Sequence, residues 1–68
     1  MNTEKQNIIE AIRENVELIV KTNEMIELKQ TQKDPYATEQ YQYQKSKLLQ
    51  DLQTLYQELQ IKASFAVA

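Results

Sequence analysis

The sequence predicts an all-α fold: an antiparallel two-helix hairpin, coiled-coil-like, that completes a bundle with another chain. Three observations predict it. The chain of 68 residues has no glycine and is rich in Glu, Gln, Lys, Leu and Ile, which favours helix. Apolar residues recur at alternating steps of three and four in both halves. A single break, "QKDPYATEQYQYQ" at residues 32–44, holds the only proline and three of the four tyrosines.

The first helix is predicted over about residues 3–32. Thr3 can cap it, with Gln6 three residues on as a capping box, and Glu4 in the first turn suits the helix dipole. Ile9, Ile12, Val16, Ile19, Asn23, Ile26 and Gln30 form a seam of the coiled-coil kind. Beside it runs a second apolar line, Ile8, Ala11, Leu18 and Met25. The helix is thus apolar over nearly half its circumference, more than one neighbouring helix covers.

The turn is predicted at residues 33–34. Proline disfavours helical geometry in the residue before it, so Asp34 is expected to be extended and to cap the next helix, with Pro35 at its first position. The two seams are out of phase by one residue across this break, which a turn explains. One long kinked helix is the rival, because no glycine stands ready for a left-handed cap. The second helix is predicted over about residues 35–63. Its seam is Tyr41, Leu48, Leu52, Leu55 and Leu59, widened on one side by Leu49, Tyr56 and Ala63. Gln50, Gln53, Gln57 and Gln60 make a neutral wet face. An apolar tail, 64–68, extends the helix, folds back over the open end, docks on a partner or frays.

Composition narrows the function. A single domain this short buries little apolar area and usually needs a staple. Without cysteine or histidine the chain has no disulfide and lacks the usual zinc, haem and iron–sulfur ligands, so association with another chain is the remaining staple. No cofactor and no metal are expected. The net charge of −2, with both signs interspersed, gives no steering field for nucleic acid. The start lacks the layout of a signal peptide, and no apolar run reaches membrane-span length, so no membrane insertion and a cytoplasmic location are expected.

Candidate chemistry is thin. Glu10, Glu14, Glu17, Glu24 and Glu27 fall mostly on the polar side, where Glu17 can pair with Lys21, and read as a solvated face rather than as paired carboxylates. No nucleophile–histidine pair or glycine-rich phosphate loop exists, so no catalytic residue is predicted and the chain is not read as an enzyme. Asn23 is either a register-fixing polar residue or an edge position. Tyr41 and Tyr56 fit the buried side. Tyr36 and Tyr43 face away from the seam and either cover the turn or contact a partner.

The predicted hairpin core is Ile9, Ile12, Val16, Ile19, Ile26, Tyr41, Leu48, Leu52, Leu55 and Leu59, with Asp34 and Pro35 in the turn. The predicted partner surface is Ile8, Ala11, Leu18, Met25, Leu49 and Tyr56, with Tyr36 and Tyr43 added as contacts.

The stretch from Asp34-Pro35 through Gln40-Tyr41-Gln42 to Leu48-Leu49 resembles the E component of the type III secretion needle chaperone pair, a family of short helical hairpins. Some of its members have a glycine in the turn, which is missing here. The resemblance implies a cytoplasmic co-chaperone. It would bind a larger helical-repeat chaperone, cover its terminal repeat, and through it keep a needle subunit monomeric before export. It also implies a role for Gln40 to Tyr43 in shaping the turn. Two other readings stand beside it: a homodimeric four-helix bundle, and a small regulator binding nucleic acid or a DNA-binding protein.

Overall fold

The computed structural model describes the backbone of residues 3–67 and the side chains of residues 3–60. Among these residues the chain forms two helices and no strand: α1 (Thr3–Thr31) and α2 (Pro35–Val67). At the helical rise they run about 43 and 50 Å. One continuous rod of the same residues would approach ~100 Å. The longest extent is 53 Å, so the chain doubles back as a hairpin and the kinked rod is excluded.

Local chemistry sets the boundaries. α1 stops at Thr31, and Gln32 joins Lys33 and Asp34 in a three-residue turn, one residue wider than predicted. Lys33 takes φ 57°, the left-handed conformation. Its N–H donates to the Gln30 carbonyl at 3.1 Å, and the Asp34 N–H donates to the Lys29 carbonyl at 3.0 Å. These two bonds are the Schellman arrangement, which satisfies carbonyls that a helix end leaves open. The position commonly holds glycine. Lysine fills it here at a conformational cost of about 1–2 kcal/mol.

Asp34 closes one helix and opens the next. Its Oδ1 accepts the Ala37 N–H at 3.1 Å, and its carbonyl accepts the Thr38 N–H at 3.1 Å and the Thr38 hydroxyl at 2.8 Å. Pro35 begins α2, where its missing N–H is no loss. At the other end Thr3 is itself helical, where the sequence offered it as a cap, and what precedes it lies outside the described residues. The backbone of α2 continues to Val67, so residues 64–67 extend that helix. The side chains of the tail 64–68 and of Ala63, predicted to widen the second seam, lie outside the described residues.

The seam of α2 contains the predicted Tyr41, Leu48, Leu52, Leu55 and Leu59, all half-buried. Thr38 and Lys45 complete its alternation of three and four and are half-buried as well. The seam of α1 differs from prediction. The covered positions are Ile8, Ile12, Asn15, Ile19, Thr22, Ile26 and Lys29. Ile12, Ile19 and Ile26 were predicted there. Ile9 and Val16 were predicted as core, but they are exposed, as is Gln30, and Asn23 is only half-buried. Ile8, predicted for the partner surface, is instead buried in the hairpin.

The reason is register. Counted outward from the turn, both helices step 3, 4, 3, 4, and equal rise sets equal steps level. Ile26 then lies level with Tyr41, Ile19 with Leu48, Asn15 with Leu52, Ile12 with Leu55 and Ile8 with Leu59. The line Ile8, Asn15, Thr22, Lys29 faces α2 because the turn places α2 there, although it is the more polar line.

Among the described residues, the buried apolar side chains are Ile8 and Ile26, and the buried polar ones are Asn15 and Thr22. Each such Ile contributes about 1.5–3 kcal/mol of apolar burial. Thr22 satisfies its hydroxyl by donating to the Leu18 carbonyl at 2.7 Å. The Asn15 Oδ1 is buried with no partner.

Candidate interaction face

A two-helix seam has two flanks. Reversing the chain direction maps like positions onto like, so residues just after the Ile8–Asn15–Thr22 line share a flank with those just after the Tyr41–Leu48–Leu55 line. The first flank therefore carries Ile9, Val16 and Asn23 from α1 and Gln42, Leu49 and Tyr56 from α2. The second flank carries Ala11, Leu18 and Met25 from α1 and Ala37, Gln44, Asp51 and Glu58 from α2.

The first flank is the apolar one. Ile9 is 47% exposed, Val16 43%, Leu49 47% and Tyr56 56%. Within each helix the two are seven residues apart, so they stack along the flank. Across the hairpin, Tyr56 lies about 3 Å along the axis from the level of Ile9, and Leu49 about 3 Å from that of Val16. Four large apolar side chains thus form one wet patch without a formal charge in it. Such patches on small proteins mark interaction sites.

The predicted partner residues divide. Leu49 and Tyr56 belong to the first flank. Leu18 is exposed but sits on the second, near the level of Asp51, on the flank that also carries Glu58. Ala11 and Met25 are half-buried on that same flank. Ile9 and Val16, which belong to the patch, were missed because their regular spacing made them look like core. Mirroring the clean α2 seam through the turn would have found them.

Tyr36 and Tyr43 lie on the outer side of α2 and share no flank with Leu49 and Tyr56. The Lys47 ammonium stands over the Tyr43 ring, 5.4 Å from its centroid, a cation–π contact within the helix. The five predicted surface glutamates are exposed. Glu10 accepts a hydrogen bond from Arg13, and that bond, then its charge, raises the Arg13 pKa. Val20 and Leu28 are exposed singly on the outer side of α1, which needs no explanation.

Among the described residues no three His, Cys, Asp or Glu side chains group as a metal would need, and no helix is long and apolar enough to cross a membrane. At the turn lies a shallow open hollow lined by residues that include Lys33, Asp34, Glu39 and Gln42, with no buried residue in its wall. The arrangement can bury apolar surface against another helix. No protein-family model, curated protein or solved structure matches the chain.

Proposed function

We propose that the chain is a non-catalytic protein–protein interaction module that works by closing its first flank against helices of another chain. One observation carries this reading: Ile9, Val16, Leu49 and Tyr56 stand exposed in line, while the hairpin buries just two apolar side chains among the described residues. A chain of this size gains stability most readily from a partner. Docking on the flank would complete a helical bundle. The resemblance over residues 34–49 supplies the biological setting of the proposal. The chain would act as a cytoplasmic co-chaperone that caps a helical-repeat chaperone and helps keep a needle subunit monomeric.

Two substitutions on neighbouring residues test the face. Ile9→Glu places a charge in the wet patch, and helicity should persist while association is lost. Ile8→Glu places one in the seam, where an unpaired charge is costly, and should unfold the hairpin. Circular dichroism with affinity capture from host lysate reads both. A helical-repeat protein held by the wild type and released by Ile9→Glu supports the co-chaperone reading. If Ile9→Glu unfolds the chain while Ile8→Glu does not, the face is wrongly placed.

A further inference from the structure

We infer that a second copy of the chain closes the same flank in the free protein, which rests on the reading of this flank as the docking face. The two hairpins pack side by side with their turns at one end, related by a twofold axis parallel to the helices. α1 of one copy then lies against α2 of the other, and every adjacent pair of helices in the four-helix bundle is antiparallel.

The pattern of the flank supports that occupant. The twofold axis keeps axial levels, so it sets Ile9 against Tyr56 of the second copy and Val16 against its Leu49, each within about 3 Å along the axis. It also sets Asn23 against Gln42, amide against amide. Apolar meets apolar and polar meets polar, and these positions carry no charge to desolvate. The second flank cannot self-associate as easily, since it would bury Asp51 and Glu58.

The face is long enough as well: the hairpin extends 53 Å, and with the turns at one end a second copy runs beside it over its whole length. One unfavourable approach exists on the rim, Glu27 near Glu39 of the second copy. It makes the dimer tighter, not weaker, as salt rises.

The test uses the whole chain, which has no native cysteine. Light scattering after size exclusion should give twice the chain mass of 8.0 kDa. Val16→Glu should weaken the dimer about 30-fold or more, as for a central contact, with helicity kept, and Leu18→Glu should not. Mild oxidation of a mixture of Val16→Cys and Leu49→Cys chains should join unlike chains by a disulfide, which needs Cβ atoms about 4 Å apart, with little product from either alone. A disulfide of Val16→Cys with itself in high yield would overturn the arrangement. A helical monomer that still captures another protein through Val16 would overturn the second copy and leave the proposed function standing. A dimer lost with Leu18→Glu and indifferent to Val16→Glu would sink both.

Discussion

Asn15→Leu should make the hairpin more stable, although it removes a native polar residue from the middle of the seam. Asn15 is 8% exposed and its Oδ1 has no hydrogen-bond partner. A buried unsatisfied acceptor costs about 1–3 kcal/mol, and an apolar group of the same shape removes that penalty. Leucine has the same branching and lies level with Leu52. The expected gain is therefore about 2 kcal/mol. For a domain of this size each 1 kcal/mol moves Tm by about 4–8 °C, so the melt should shift upward by roughly 8–16 °C. Thermal unfolding followed by far-UV circular dichroism, at one fixed chain concentration because association couples to Tm, reads the shift. Asn15→Ala should gain less, because it trades the orphan oxygen for a cavity. A fall in Tm with Asn15→Leu would show that the amide is satisfied in solution, and the account of the seam would be wrong at its centre.

Two turn substitutions should move stability in opposite directions. Lys33→Gly relieves a left-handed residue that carries a Cβ and should stabilise by about 1 kcal/mol in urea melts; a loss would mean that the Lys33 side chain supplies something the main-chain bonds do not. Asp34→Ala removes the acceptor for the Ala37 N–H and should cost about 1 kcal/mol, whereas Asp34→Asn should keep most of the cap.

The two helices, the break and the capping of α2 by Asp34 were legible in the sequence because each rests on chemistry within a few residues: helix-forming composition, an Asp-Pro step, a capping carboxylate. The α2 seam was legible because its leucines are strongly apolar and are also half-buried on the covered side. The α1 seam was misplaced by about 50° around the helix, because three of the four residues on one of its two lines, Asn15, Thr22 and Lys29, are polar. The spacing rule selects lines of apolar residues, and in α1 one of the two lines it selected, Ile9–Val16, lies on a flank rather than on the seam. Only the turn, with Lys33 left-handed, fixes where the second helix stands. The partner face inherited the same error, which sent Ile8 outward and Ile9 inward.

The mirror spacing about the turn also bears on how the chain folds. Bringing Ile26 level with Tyr41 closes a loop of fourteen residues, whereas bringing Ile8 level with Leu59 encloses fifty. Closure entropy rises with loop length, so pairs near Asp34 should form first and each one shortens the effective loop for the next. The hairpin then assembles as a zipper from its bend. Amide hydrogen exchange should record this as a gradient, slow beside Ile26 and Tyr41 and progressively faster toward Ile8 and Leu59.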